Sequence, residues 1–171
     1  MSFKPAFGIL ILVALIFAGC ATENPVQKPG YAVIKVNRTL LDQFEYETDV
    51  VGDLKGEAVY QYDLRHNAQR QFGARFHIKW KAPRGAPSIR LVLDVRGLNT
   101  RNETTLDKFI ENYTRMEDWA EWTTISITGD RFKHLGTIMA WRVSIYSGDR
   151  VMAELPSADW YSDIRPEPPA K

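Results

Sequence analysis

Apolar and polar residues alternate along most of the stretch from Arg70 to Lys81, and this alternation constrains the fold more than any other feature. Successive side chains of a β-strand point to opposite faces, so a two-residue period gathers the apolar groups on one face. The apolar face consists of Phe72, Ala74, Phe76, Ile78 and Trp80, and the polar face of Gln71, Arg75, His77, Lys79 and Lys81. The pattern predicts a strand of an antiparallel sheet with one buried and one solvated side.

Shorter alternating stretches predict further strands along the chain. The run from Ile89 to Arg96 follows the turn-forming stretch Pro83–Pro87, and we expect it to form a hairpin with the first strand. Gly148-Asp149 lies between two other alternating runs and predicts a tight hairpin. The remaining predicted strands are Tyr31–Arg38, Asp42–Val51, Ala58–Leu64 and the stretch from Thr123 to a turn at Gly129-Asp130.

The stretch from Leu98 to Trp122 supports two interpretations. Its apolar residues recur at three- and four-residue spacings, which is typical of an amphipathic helix, here near 105–118. Phe, Ile, Tyr and Thr dominate its middle, however, and a helix would interrupt a chain of strands. We expect extended structure and keep the helix as the alternative.

Seven to nine short strands joined by Gly, Pro, Asn and Asp turns predict an all-β fold, either an antiparallel β-sandwich or a small barrel. The folded domain is expected to cover 31–164 and to be followed by a polar tail over 165–171. Alternating apolar residues of the strongest strands should share one core between two sheets. The expected core residues are Phe76, Trp80, Leu91, Leu93, Trp141, Val143 and Ile145.

The amino-terminal stretch has the layout of a secretory signal. Lys4 precedes an uncharged apolar run from Ala6 to Ala18, which is shorter than the roughly 20 residues of a membrane-spanning helix. The segment Ile16-Phe17-Ala18-Gly19-Cys20 resembles the lipobox of bacterial lipoproteins, with Phe17 where Leu is usual. The alternatives are an ordinary signal peptide with a coincidental cysteine, or a buried core cysteine.

The lipobox resemblance implies a signal peptide over 1–19, cleavage after Gly19, and lipid on Cys20 that anchors the protein to a membrane. Residues 20–30 would then be a lipidated amino terminus and a flexible polar spacer with two prolines. Ala21 is not the Asp that marks retention at the inner membrane in enteric bacteria. The resemblance therefore implies the bacterial cell envelope, on the periplasmic side of the outer membrane.

A second resemblance rests on the carboxy-terminal part of the chain. Its residues are Trp122-Thr-Thr-Ile-x-Ile-x-Gly129, Leu135-Gly136, Trp141-Arg-Val, Gly148-Asp149, Ala153, Ser157 and Trp160. Their spacing is similar to that of small uncharacterised bacterial lipoproteins with immunoglobulin-like sandwiches. The resemblance implies an immunoglobulin-like β-sandwich and brings no activity with it.

Charge and motifs argue against several classes of function. The chain has 22 Lys and Arg against 21 Asp and Glu, and removing Lys4 with the signal leaves 21 of each. This balance does not indicate nucleic-acid binding. The sequence contains neither Gly-x-Ser-x-Gly nor His-Glu-x-x-His, and its three histidines, at 66, 77 and 134, are scattered. We expect a non-catalytic protein without a metal or cofactor.

Two regions are candidates for binding. In the predicted strand Asp42–Val51, Glu45, Glu47 and Asp49 share one face, which could recognise a basic envelope protein or merely protect a sheet edge. Calcium binding is disfavoured because same-face residues of a strand lie nearly 7 Å apart. The alternative is a ligand-binding or carbohydrate-active site at 117–122, where Glu117, Asp118 and Glu121 accompany Trp119 and Trp122.

Overall fold

The computed structural model describes residues 25–48, 54–115 and 120–162, which contain seven strands and two α-helices. The strands are β1 (Ala32–Leu41), β2 (Gly73–Lys81), β3 (Pro87–Leu98), β4 (Thr104–Arg115), β5 (Glu121–Thr128), β6 (Thr137–Ser147) and β7 (Arg150–Pro156). The helices are α1 (Leu54–His66) and α2 (Gly129–Leu135), and a 3-10 turn covers Ala68–Arg70.

The strands form two antiparallel sheets, with orders β1-β2-β5 and β4-β3-β6-β7. Strands 1, 2 and 5 of an immunoglobulin sandwich share one sheet, and strands 3, 6 and 7 share the other. This chain follows that order and places β4 beside β3. The predicted immunoglobulin-like antiparallel β-sandwich is therefore confirmed.

The core lies between the sheets and is formed mainly by the facing sides of β2, β3 and β6. Six of the seven expected core residues are fully buried, and Trp141 packs against the core while remaining partly exposed. Trp80 donates its indole Nε1–H to Thr123 Oγ1 at 2.8 Å, and its ring meets Tyr113 edge-on. The buried indole thus has the partner that its polar atom requires. The fully buried expected residues are Phe76, Trp80, Leu91, Leu93, Val143 and Ile145.

The hairpin predicted between β2 and β3 is wrong. β2 pairs with β1 and β5, whereas β3 pairs with β4 and β6, so the connection at 82–86 crosses from one sheet to the other. Ala82 and Ala86 are buried in this crossing. Turn-forming residues mark a reversal of the chain but do not say which sheet receives the next strand. The hairpin predicted at Gly148-Asp149, between β6 and β7, is confirmed.

The strand predicted at Ala58–Leu64 is wrong, because these residues lie in α1. Tyr60 and Leu64 fit a strand period and a helical period equally well. A strand would bury Tyr62 together with these two residues, but the structure buries Gln61 instead. The buried residues Tyr60, Gln61 and Leu64 thus form one face of a helix. The turn expected at Gly129-Asp130 likewise begins a helix, α2.

The ambiguous region is extended, as expected, and the alternative of a helix near 105–118 is wrong over its described part. β4 covers Thr104–Arg115 and buries Thr105 and Phe109, two residues that face inward at a strand spacing. Leu106 and Ile110 point outward and are exposed. The helical spacing therefore came from apolar residues that lie on both faces of an edge strand.

The first described residues lie along the edge of β7. Gln27 forms a bridge with Ala153, Lys28 N donates to Met152 O at 2.7 Å, and Glu154 N donates to Val26 O at 2.8 Å. The part of the predicted spacer from Pro25 onward therefore adds backbone pairing to the sheet. Cys20 and the tail 165–171 lie outside the described residues. No helix within the described ranges is long and apolar enough to cross a membrane.

Candidate interaction surface

The segment after β1 is a turn rather than the predicted strand, over its described part 42–48. The Asp42 carboxylate accepts hydrogen bonds from Phe44 N at 2.8 Å, Tyr46 N at 2.9 Å and the Tyr60 hydroxyl at 2.7 Å. Burial alone would raise the pKa of Asp42, but these hydrogen bonds outweigh burial and hold it below its ordinary value. An aspartate that bonds its own following backbone favours a turn, which overrides the alternating pattern.

Glu47 folds back over the outer side of the three-stranded sheet. Its carboxylate lies 2.7 Å from Arg75 Nη1 and 2.8 Å from His77 Nε2, and it accepts a hydrogen bond from Thr39 Oγ1 at 2.8 Å. Partial burial would raise the pKa of Glu47, but the hydrogen bonds from Arg75, His77 and Thr39 keep it below its ordinary value. Glu47 is therefore an internally paired carboxylate.

Over the described residues, the shared acidic strand face on which the partner prediction is based is absent. Glu45 is exposed and adopts a positive φ of 63°, whereas Glu47 is paired with Arg75. Asp49 lies outside the described residues. A binding role for the three carboxylates stays a prediction, without the strand geometry that motivated it.

The outer side of the three-stranded sheet carries cationic and aromatic groups, and we call it the β1–β2–β5 face. Strand register places Lys35 opposite Lys79, and Lys79 opposite Trp122. Trp122 is 54% exposed, and Lys79 Nζ lies 5.6 Å from the centre of its ring. The outward residues of this face are Lys35, Asn37, Thr39, Arg75, His77, Lys79, Lys81, Trp122, Thr124 and Ser126.

The polar end and the aromatic end of this face differ in charge. Near Glu47, Arg75 donates to the carboxylate and to Ser126 Oγ, which fixes the guanidinium at the surface of the sheet. Toward Trp122, the described strands place the cationic side chains of Lys35, Lys79 and Lys81 outward. Among the described residues, the aromatic end of the face thus carries positive groups.

The alternative site at 117–122 is only partly within the described residues. Glu117, Asp118 and Trp119 lie outside them. Glu121 and Trp122 begin β5, and as neighbours in a strand they point to opposite sides of the sheet. The described residues therefore place Trp122 on the β1–β2–β5 face, beside Lys79, and leave the proposed carboxylate cluster untested.

The histidines occupy separate polar environments. His77 lies between Glu47 and Thr124, and His66 Nδ1 is 2.8 Å from Tyr62 O. His134 lies in α2. Among the described residues, no group of three or more His, Cys, Asp and Glu side chains is placed to hold a metal ion.

The outer side of the other sheet is covered by the carboxy-terminal segment. Trp160 is buried there, and its ring stacks on the guanidinium groups of Arg96 and Arg142 at 4.3 and 4.8 Å. Arg96 also donates to Trp160 O at 2.7 Å, and Arg142 pairs with Asp94 at 3.0 Å. Trp160 therefore covers this outer surface and is not part of the core cluster between the sheets. The outer surfaces of the two sheets thus differ, since Trp160 is buried on one and Trp122 is exposed on the other.

No family model and no curated protein matches this chain. Among solved structures, an immunoglobulin-like protein from Pseudomonas aeruginosa is 16% identical, with a TM-score of 0.34 over 50% of this chain and 70% of its own. A protein from Akkermansia muciniphila is 10% identical, with a TM-score of 0.45 over 79% of this chain and 75% of its own. The fold assignment rests on the strand order described above and not on these likenesses.

Proposed function

We propose that this chain is a non-catalytic, lipid-anchored module of the bacterial envelope that binds an acidic partner protein through the aromatic end of the β1–β2–β5 face. The observation that carries the proposal is the exposure of Trp122 beside Lys79 on a flat sheet surface. Tryptophan is among the residues that contribute most to binding energy when a partner covers them. Surrounding lysines would attract acidic partners and repel basic ones.

The charge of this surface is opposite to that of the acidic face expected from the sequence. Glu47, which folds over the outer side of this sheet, already accepts hydrogen bonds from Arg75 and Thr39. Lys35 and Lys79 lie on the outward side of the remaining described part of the face. The proposal therefore names an acidic partner where the alternating pattern had indicated a basic one.

Membrane attachment is supported by the sequence of the amino-terminal segment. The lipobox-like residues precede Cys20, and the described chain begins five residues later at the edge of the sandwich. Several acyl chains on one protein give far firmer attachment than a single chain. Lipid on Cys20 would keep the β1–β2–β5 face within the envelope, on the periplasmic side of the outer membrane.

Replacing Cys20 by Ser is expected to abolish lipid attachment and block processing after Gly19, because the modification requires a thiol. The measurement is incorporation of a labelled fatty-acid analogue, followed by fractionation of membranes. The variant should incorporate no label and leave the normal membrane fraction. Equal labelling of the variant and the parent protein would overturn the proposed anchor.

Replacing Trp122 by Ala is expected to weaken partner binding by about 2 kcal/mol or more, roughly thirtyfold, as for other central interface tryptophans. Lys79→Glu should weaken binding as well, since it reverses a charge that steers an acidic partner. Both side chains lie on the surface, so thermal stability should change little. Partner recovery from solubilised envelopes and thermal denaturation measure the two effects.

The matched control for Trp122→Ala is Tyr161→Ala, which removes another aromatic ring of similar exposure, 51% against 54%. Tyr161 follows Trp160 and so lies away from the β1–β2–β5 face. Unchanged recovery with Trp122→Ala, or equal losses with both variants, would contradict the proposed surface.

A further inference from the structure

The outward side of α1 carries exposed apolar side chains among polar ones. The helix buries Tyr60, Gln61 and Leu64, while Leu54, Val59 and Tyr62 on its other side are 83%, 62% and 63% exposed. We call these three residues with Ala58 the outer face of α1. Soluble helices usually place their apolar stripe toward the core, so this helix has large apolar groups beside Lys55 and His66 on the side where mainly charged residues are expected.

The helix is held firmly against the end of β1. The Gln61 side chain accepts a hydrogen bond from Leu40 N at 2.8 Å and donates to Leu40 O at 2.9 Å and to Glu47 O at 2.7 Å. Tyr60 donates to Asp42 at 2.7 Å. These buried contacts fix the orientation of α1, so its outer face is displayed by the fold rather than by a loosely attached segment.

Two arginines line a pocket beside this helix. Arg38 of β1 and Arg65 of α1 face a cavity of about 140 Å³, together with Gln71, Phe132, Thr137 and Ile138. Arg38 donates to Ile138 O at 3.0 Å, and no ion pair joins either arginine to a carboxylate within the described ranges. Burial and the charge of Arg65 both lower the pKa of Arg38. An anion between the two guanidinium groups would relieve their repulsion.

Traced backward, the amino-terminal segment leads toward the end of the sandwich that carries α1 and the arginine pocket. Val26 lies beside Glu154 and Lys28 beside Met152, so tracing the chain backward toward Pro25 leads to the Pro156 end of β7. Pro156 is opposite Arg142, five residues along β6 from its start at Thr137, or about 17 Å at the rise of a strand. Ile138, which lines the arginine pocket, follows Thr137.

The segment between Cys20 and Pro25 is long enough to span the distance from the Pro156 end of β7 to the start of β6. Cys20 is five residues before Pro25, so the two can be separated by at most about 18 Å, using the length of fully extended chain. Cys20 can therefore reach the end of the sandwich that carries α1 and the arginine pocket, and lipid placed there would hold this end close to the bilayer. The opposite end, with the β6–β7 turn, would face away.

We propose that the outer face of α1 lies in the interfacial region of an anionic phospholipid bilayer, with lipid phosphate groups in the pocket of Arg38 and Arg65. This inference rests on the proposed anchor. Interfacial helices insert apolar residues beside the headgroups and bind anionic lipid through flanking basic residues. Here Val59 and Tyr62 supply the apolar contact, and Arg65, three residues beyond Tyr62 on the helix, supplies the charge.

The experiment uses the acylated protein in vesicles of phosphatidylethanolamine and phosphatidylglycerol. Because the lipid occupies the Cys20 thiol, Val59→Cys provides the only free thiol for a polarity-sensitive fluorescent label. Asp149→Cys, in the fully exposed β6–β7 turn, is the matched control. We expect a blue shift and several-fold protection from aqueous iodide for the label at 59, and neither effect for the label at 149.

A second labelled variant, Ala58→Cys, replaces Val59→Cys if that protein folds poorly, because Ala58 is exposed on the same side of α1. Adding Arg65→Glu, or using phosphatidylcholine vesicles, should remove part of the protection. Protection that requires added envelope extract instead of lipid would overturn the inference in favour of a protein occupant. An acylated protein whose label at 59 stays water-exposed would overturn this inference alone, whereas unmodified Cys20 would overturn the anchor and the inference together.

Discussion

Replacing Trp80 by Ala should unfold the domain or lower its free energy of unfolding by about 3–5 kcal/mol, the usual cost of truncating a buried aromatic side chain. Trp80 is fully buried, bonds Thr123 through its indole nitrogen and packs edge-on against Tyr113. The substitution would leave a cavity between the sheets and remove one of the two hydrogen bonds of the Thr123 hydroxyl, which would keep its bond to the Tyr113 hydroxyl. Because small domains have only about 5–15 kcal/mol of stability in total, the loss is a large share of it.

The matched control is Trp122→Ala, which makes the same chemical change at an exposed position of the neighbouring strand. Urea denaturation followed by far-ultraviolet circular dichroism compares the two variants without depending on tryptophan fluorescence. We expect Trp122→Ala to stay within about 1 kcal/mol of the parent, as surface substitutions usually do. Similar losses for the two variants would contradict the assignment of Trp80 to the core and of Trp122 to the surface.

Gly136→Ala should also destabilise the domain strongly, for a steric reason. Gly136 ends α2 with a φ of 68°, and a Cβ added there would lie 2.2 Å from Leu98 O and 2.8 Å from Asn99 Cα. The opposing atoms belong to backbone, so they cannot move aside as a flexible side chain would. The left-handed conformation costs Ala about 1 kcal/mol, and overpacking typically adds about 1–3 kcal/mol.

Gly148→Ala separates these two contributions. Gly148 has a similar φ of 58°, but nothing lies within 4 Å of the position that its Cβ would take. Its variant should lose only the conformational part, about 1 kcal/mol. Thermal and urea denaturation of both variants give the comparison. If Gly136→Ala lost no more stability than Gly148→Ala, the close approach of α2 to the end of β3 would be refuted.

The fold class could be predicted because the strongest alternating stretches are also the central strands. β2 and β3 lie inside their sheets and pack one face into the core between the sheets, so their apolar side chains on that face are buried and their sequence pattern is clear. The Gly148-Asp149 turn was equally clear, since a two-residue connection permits only a hairpin. Local patterns succeed where burial on one face is complete.

The elements that were mispredicted lie where tertiary contacts override the pattern. α1 was read as a strand because Tyr60, Tyr62 and Leu64 alternate, and nothing in that stretch reveals that the Gln61 amide bonds both backbone groups of Leu40. This hydrogen bonding covers an edge of β1 that would otherwise be unpaired. The crossing between β2 and β3 was missed for a related reason, since its turn residues fit either connection.

The candidate surface was only partly visible from the sequence. Trp122 was identified within the 117–122 region, but its position beside Lys79 depends on the pairing of β2 with β5, across more than forty residues of chain. The alternating pattern places Glu47 on an acidic face. It cannot show that Arg75 and His77, on a strand almost thirty residues away, pair with Glu47. The sign of a surface follows from which charges meet across the sheet, and strand order decides that.

Site-specific photocrosslinking in intact cells tests the proposed function most directly. A photoreactive phenylalanine analogue would replace Thr124, which is exposed beside Trp122 on the same face, so that the acylated protein keeps its tryptophan; the same analogue at the exposed Tyr161 would serve as the control. We expect illumination to give a discrete adduct with an acidic envelope protein from position 124 only, and Trp122→Ala or Lys79→Glu to reduce its yield. Adducts of the same pattern from both positions, or none from position 124, would contradict binding through the β1–β2–β5 face.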